Sequence, residues 1–202
     1  MPYRQRNRRG QGGRLRTEIL AAATDLLDTG GGERAVTLRA VARRVGIAAP
    51  SIYPHFPDPG TLLRAVVRQA SADLADRLRT VSHHDDPRRR LFALCSAYLD
   101  FAGEHPARYR AMFDGDPASG TEVLRILTDG LTACHTSDAP ATDAFALWLG
   151  LHGLAHQRAV ARSFPWPADI AERITIPLSH LTPGGPTHDH PHLGRHPHHH
   201  RR

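Results

Sequence analysis

The side chains able to do chemistry are few and scattered along the 202 residues. Cys95 and Cys134 form no CxxC pair, which excludes a disulfide scaffold and a cysteine-based zinc finger and fits a reducing compartment. His152 stands one turn after Trp148 in an apolar run, with no Ser, Asp or second His beside it to build a relay. A lone His on such a face reads as a hydrogen-bonded core residue, and Cys95 on a buried stripe as an inert hydrophobe. The chain ends in HDHPHLGRHPHHHRR, with seven His between His188 and His200. Imidazoles bind metals, but Pro and Gly between them prevent a fixed ligand geometry, so the expectation is adventitious metal binding, no resident metal and no cofactor. No catalytic constellation stands out, and the chain reads as a non-enzyme.

The remaining chemistry is that of arginine. All 26 basic residues are Arg, against 20 acids. The excess of six lies in residues 1–16, which hold Arg4, Arg6, Arg8, Arg9, Arg14 and Arg16 and no acid. A second acid-free window runs from Arg34 to Pro57 and carries Arg34, Arg39, Arg43 and Arg44. Two positive zones close in sequence point to a polyanion, although a solvated, solubilising tail is the plainer reading of the first.

Elements must position these groups. Residues 1–13 lack apolar periodicity and read as a disordered basic arm. Leu15, Ile19, Ala22, Ala23, Leu26 and Leu27 then mark a helix that Gly30-Gly31-Gly32 ends. Thr37 is a candidate N-cap for a helix to Val45, and Gly46 allows a sharp turn. Pro50 opens another short helix with Ile52, Tyr53 and Phe56, closed by the prolines at 54, 57 and 59. A long helix follows from about Gly60 to Val81, with Leu63, Val66, Val67, Ala70, Leu74, Leu78 and Val81 inward. Five further helical segments run from Leu91 to Leu181, and no segment alternates with period two. The expectation is an all-α fold of about nine helices: an N-terminal three-helix unit at 14–74, a long connecting helix and an α-helical ligand-binding and dimerisation unit at 87–181. The tail from 182 to 202 cannot form a core. The densest apolar run, Phe145 to Ala155, is short and contains His152, so no segment spans a membrane and the chain reads as soluble and cytoplasmic.

Residues 37–56 (TLRAVARRVGIAAPSIYPHF) have the pattern of a helix-turn-helix. Ala42 supplies the small residue where the helices cross, and Val41, Val45, Ile47 and Ile52 form the seam. A second helix so placed fits a major groove, but an ordinary helical hairpin shares the spacing. The flanks narrow the choice. With RTEILAAATDLLDTGG before it and APSIYPHF at its end, the segment 14–74 resembles the N-terminal domain of TetR-type transcriptional regulators. The resemblance implies that Tyr53 and His55 meet phosphates, that Phe56 packs inside, and that the residues just before Tyr53 enter the groove. The candidate DNA-binding residues are therefore Thr37, Arg39, Ala48, Ala49, Pro50, Ser51, Tyr53 and His55, with Arg4, Arg6, Arg8 and Arg9 of the arm. Two positions depart from the pattern: Pro59 stands where the family has a phosphate-gripping Lys or Arg, and Pro54 replaces an often basic residue. The small Ala48, Ala49 and Ser51 offer few hydrogen bonds to bases, so direct readout is expected to be modest.

YLDFAGEHPARYRAMF (98–113) and LWLGLHGLA (147–155) extend the resemblance to a TetR subgroup marked by Trp148, His152 and Gly153 in a late helix. Aromatic and polarisable groups concentrate in this half, which suits an apolar small-molecule pocket with a few polar groups. The candidate ligand residues are Cys95, Tyr98, Phe101, Tyr109, Met112, Phe113, Trp148 and His152; plain core packing is the alternative for each. Ala146, Gly150 and Gly153 form a small-residue stripe that permits close helix approach, either across a dimer interface, as the resemblance implies, or within one subunit. The resulting expectation is a homodimeric, ligand-responsive repressor that binds a palindromic double-stranded DNA operator and answers to an unidentified small-molecule effector. The alternatives are a sequence-independent DNA binder, or an α-helical binding protein or enzyme.

Overall fold

The computed structural model describes residues 12–81, 84–115, 120–161 and 163–181. The basic residues Arg4, Arg6, Arg8 and Arg9 and the His-rich tail lie outside the described residues. Eight α-helices follow one another: α1 Gly12–Thr29, α2 Leu38–Val45, α3 Pro59–Val81, α4 Pro87–Glu104, α5 Pro106–Gly115, α6 Thr121–Cys134, α7 Pro140–Val160 and α8 Ile170–Leu178. Among the described residues there is no strand, as the absence of period-two alternation predicts.

Local chemistry sets the helix ends. Four helices (α3, α4, α5 and α7) begin on a proline, where the missing N–H has no intrahelical acceptor to lose. Pro59 thus starts α3, besides ending the segment before it. Asp58 caps α3 by accepting from the Thr61 N–H at 2.7 Å and from the Thr61 hydroxyl at 2.7 Å. Asp86 caps α4 by accepting from the Arg88 N–H at 2.9 Å. Thr37 caps α2 as predicted, its side chain accepting from the Ala40 N–H at 3.2 Å. Gly46 ends α2 with φ 76°, a left-handed conformation that favours glycine.

The predicted helix over Pro50–Phe56 is instead a single 3₁₀ turn, Ala49–Ser51, followed by hydrogen-bonded turns. The His55 and Phe56 N–H groups both donate to the Ile52 carbonyl, at 2.8 and 2.9 Å. Proline explains the difference. Pro54 has no N–H to offer Pro50 four residues back, and its ring would press on that carbonyl. This segment accounts for the count of eight α-helices against the nine expected.

Two apolar clusters hold the chain. One packs Ile19, Ala23 and Leu27 of α1, Val41 of α2, Ile52, Phe56 and the start of α3. The other packs the rest of α3 with α4 to α7 and is lined by α8. The buried face of α3 runs Leu62, Val66, Ala70, Leu74 and Leu78, so Leu62, not Leu63, is inward. A step of four residues keeps one face against the first cluster and then the second, and leaves Leu63 on the flank. The long α3 is not the sole bridge between the halves. Ala111 of α5 is buried in the first cluster, while Tyr109 and Met112 of the same helix are buried in the second.

Candidate nucleic-acid interface and buried aromatic site

The helix-turn-helix presents a distinct outer surface. Thr37 and Arg39 are exposed at the start of α2, and Ala48, Pro50, Ser51 and Tyr53 are exposed along the reading segment. Ala49 and His55 are half-buried, with Ala49 packed on the first cluster. Tyr53 is 56% exposed, a large amphipathic ring left in solvent, while its neighbours Ile52 and Phe56 are 0% and 1% exposed. The alternation follows from the turn: one face of so short a segment must close the core, and the other is free to meet a partner. Arg44 spends its charge within the fold, in an ion pair with Asp25 of α1. Arg39 and Arg43 are exposed and have no ion pair among the described residues. Arg16, which is absent from the candidate DNA-binding residues, places its guanidinium 4.9 Å from the centre of the Phe56 ring, a cation–π contact beside the reading segment. The one signal for it in the sequence is its place in the N-terminal run of arginines.

In the other half, α4, α5 and α7 bring five of the eight candidate ligand residues together. The Tyr98 and Tyr109 hydroxyls are 2.8 Å apart, and the Tyr109 hydroxyl is 2.6 Å from His152 Nδ1. Tyr98 lies 3.4 Å from the same nitrogen. The set is satisfied when Nδ1 carries no proton: Tyr109 donates to it and Tyr98 donates to Tyr109. Around this chain the rings stack edge and face. Phe113 is 4.9 Å from Tyr109 and from His152, and Trp148 is 5.4 Å from His152. Tyr98 and Tyr109 are 1% and 3% exposed. Burial, reinforced by the neighbouring Tyr98, holds the Tyr109 phenol far above its ordinary range. Burial likewise raises Tyr98, with hydrogen bonding to Tyr109 acting the other way. Both phenols therefore work as neutral hydrogen-bonding groups. The Trp148 indole N–H lies near the Tyr98 hydroxyl, but it is buried and makes no hydrogen bond of normal geometry.

The other three candidates lie apart from this knot. Phe101 is buried, with its ring 5.2 Å from His105. Met112 is fully buried in the second cluster. Cys95 is buried near Thr175, and burial pushes its thiol up to about 12, which makes it a core group with no thiolate chemistry at neutral pH. The small-residue stripe also divides. A Cβ on Gly150 would come within 2.9 Å of Ile174 and 3.1 Å of Leu178, so this glycine admits α8 of its own subunit. Ala146 is half-buried, and Gly153 is exposed with open space around it. The stripe on α7 that does face outward is Phe145 and Leu149, 48% and 49% exposed and one turn apart. Both are large, so a stripe defined by small residues leaves them out. Among the described residues no group of three or more His, Cys, Asp or Glu could hold a metal ion, and no helix is long and apolar enough to cross a membrane.

The chain is similar to known proteins in sequence and in fold. Residues 19–66 match the family described as bacterial regulatory proteins, tetR family, and residues 91–181 match the tetracyclin repressor-like C-terminal domain. Over 112 residues the chain is 29% identical to the nucleoid occlusion factor SlmA of Marinomonas sp. (strain MWYL1), covering 55% of this chain and 56% of that protein. It is 28% identical over 120 residues to the HTH-type transcriptional activator FasR of Mycolicibacterium smegmatis, covering 59% and 54%. The chain thus spans about half the length of the curated relatives it matches. Its fold is similar to that of a TetR-family transcriptional regulator from Pectobacterium atrosepticum, with a TM-score of 0.65, 21% identity, and coverage of 86% of this chain and 93% of that one. It is also similar to a regulatory protein of the tetR family from Rhodococcus RHA1, with a TM-score of 0.60, 18% identity, and coverage of 82% and 95%. With both halves matched in their proper order, over more than two thirds of the residues, the chain belongs to the TetR family of bacterial transcriptional regulators.

Proposed function

We propose that the protein is a homodimeric repressor that holds a palindromic operator through Thr37, Arg39, Ala48–Ser51, Tyr53 and His55, and lets go when a small molecule occupies the aromatic site. The observation that carries the reading is the pairing, in one chain, of an exposed Tyr53 on a capped helix-turn-helix with a buried phenol–imidazole knot on α4, α5 and α7. The first supports DNA contact. The second supports a ligand that is mostly apolar, planar enough to slide among rings, and equipped with an acceptor for Trp148 and a group able to replace one member of the Tyr98–Tyr109–His152 chain. Binding of such a ligand would part α5 from α7, and α5 also packs on the DNA-binding half.

The exposed pair Phe145 and Leu149, followed by Gly153, supports a dimer face on α7, since two apolar residues one turn apart gain by being covered. A two-fold dimer presents its reading segments one helical turn of DNA apart, roughly 34 to 36 Å, or at a multiple of it.

The arginine-rich, acid-free N-terminal region favours a second reading: sequence-independent DNA binding. One experiment separates the two. Fluorescence anisotropy with an inverted repeat taken from upstream of the protein's own gene, competed with random duplex at fixed salt, should show a preference of a thousandfold or more, of the order typical of specific sites. Equal competition by random DNA would sink the operator reading and leave the second. A reporter gene under the same repeat reads the sign of regulation.

A further inference from the structure

The seam between the two halves contains an open cleft of about 510 Å³. One wall is the α1–α2 connection, with Gly31, Gly32, Glu33 and Arg34; the other is α5, with Arg110. Ala107 and Ala111 form its apolar side. We infer that this cleft is a second ligand site, for a small molecule bearing phosphate or carboxylate groups, gripped by Arg34 from one half and Arg110 from the other.

Three observations carry the inference. The first is charge left over. Arg34 and Arg110 are both exposed and have no ion pair among the described residues, whereas Arg108, two residues before Arg110 on the same helix, is fully engaged with Asp28. Two guanidiniums lining one cleft favour an anion between them, and two oxygens of a carboxylate or a phosphate match the arginine fork with two parallel hydrogen bonds. Glu33 is the single carboxylate of the lining, so a surplus of one positive charge remains.

The second is room. The volume falls within the range of small-molecule sites. Gly31 and Gly32 have φ of 92° and 99°, and a Cβ at either would meet nothing within 4 Å. The backbone there takes a conformation that side chains disfavour, and the wall it makes is bare.

The third is position. Each half supplies one arginine, so an anion bridging them would tie α5 to the α1–α2 connection, the segment that leads into α2. The aromatic site lies on the other face of α5, through Tyr109 and Phe113. The cleft is therefore separate from that site, and its existence does not depend on the effector reading above.

The test is calorimetric titration of the full chain with pyrophosphate and, separately, with citrate, at constant ionic strength held by chloride. The expected result is one saturable site per chain, with a Kd below about 1 mM for at least one of the two probes. Which probe binds tells phosphate from carboxylate. Arg34→Ala and Arg110→Ala should each weaken binding tenfold or more, and Arg110→Lys should fall between, keeping the charge but losing the fork. Arg68→Ala, an exposed arginine of α3 outside the cleft, should leave the affinity unchanged. Both cleft arginines are exposed and have no ion pair among the described residues, so the variants should melt like the parent protein. Absence of saturable binding by either probe overturns the proposal, as does equal affinity in an Arg34→Ala/Arg110→Ala double variant. If neither probe binds and the same variants instead flatten the salt dependence of DNA binding, the two arginines serve DNA phosphates and no small-molecule site exists.

Discussion

Arg108 of α5 donates from Nε and Nη2 to a single oxygen of Asp28 on α1, at 2.8 and 2.5 Å, and so joins the two halves across 80 residues of sequence. Both side chains are about four-fifths buried, which sets this pair apart from the solvent-facing i,i+3 and i,i+4 pairs on α3, α6 and α8. Exposed pairs are worth little, because water and salt screen them. A partly dehydrated, doubly bonded pair is worth more, and losing one partner strands the other. A double-mutant cycle with Arg108→Ala and Asp28→Ala, followed by urea denaturation, should give a coupling energy of about 1 to 2 kcal/mol. A value near zero would show the junction to be held by Ala111 and its apolar neighbours alone.

Tyr53→Ala should weaken binding to the operator by about 1 to 3 kcal/mol. The ring is more than half exposed, so stability should change by less than about 0.5 kcal/mol. Anisotropy titration and thermal melting of the same sample check both halves of the statement. Unchanged DNA affinity in a folded variant would remove Tyr53 from the interface.

Deleting residues 1–11 removes Arg4, Arg6, Arg8 and Arg9 while keeping α1 from Gly12 onward. If those arginines touch phosphates, the slope of log affinity against log salt becomes shallower by up to about 0.9 for each phosphate no longer neutralised. Sequence preference should hardly change, since phosphate contacts position and do not specify. Titrations at three salt concentrations decide the matter; an identical slope makes the segment a bystander.

Much of this architecture is legible from the residues alone. The stripe from Leu15 to Leu27, the cap at Thr37 and the turn at Gly46 are local features, and the chain adopts them as sequence spacing requires. The reading segment shows where such logic stops. Pro50 fits the first turn of a helix, yet Pro54 four residues later withholds the bond that would continue it, and the pair together leave a 3₁₀ turn. The aromatic knot is half legible. Composition collects eight candidates on three helices, but which of them meet depends on helix rotation and crossing, set by packing that no periodicity encodes. Tyr98 and Phe101 sit less than one turn apart on α4, and only Tyr98 faces His152. Gly150 marks a close approach, as its small size implies; that the partner is α8 emerges only from the fold.

Tyr109→Phe should remove the central hydroxyl of the chain and leave the Tyr98 hydroxyl, at 3.4 Å, as the phenol that faces His152 Nδ1. The expected loss is about 1 to 2 kcal/mol of stability, the value of a buried hydrogen bond plus the desolvation of the partner left behind. The operator affinity of the folded variant should match the parent, while any compound that releases the parent from DNA should need a higher concentration. Denaturation and anisotropy measure the two effects separately. Full release at the parental concentration, repeated with Trp148→Phe, would place the effector elsewhere.

Leu149→Arg should disrupt the proposed dimer face without touching the subunit core, because the side chain is half exposed. Sedimentation velocity is expected to show a monomer where the parent sediments as a dimer, with helical content by circular dichroism unchanged. A dimer of undiminished stability in the variant would move the interface off this part of α7.

The alternation along α5 has a wider consequence. Arg108 and Ala111 look toward one half, Tyr109 and Met112 toward the other, and a helix with its side chains is only about 10 Å across. Any message passing through this element crosses a single cylinder. A roll about its long axis displaces both contact surfaces in the same instant, as a cam does, with no chain of intermediaries to delay or dilute it. Substitutions that blunt communication while sparing both recognition surfaces should then crowd onto the two bridging helices, α3 and the ten residues Pro106 to Gly115, and not scatter through the bundle.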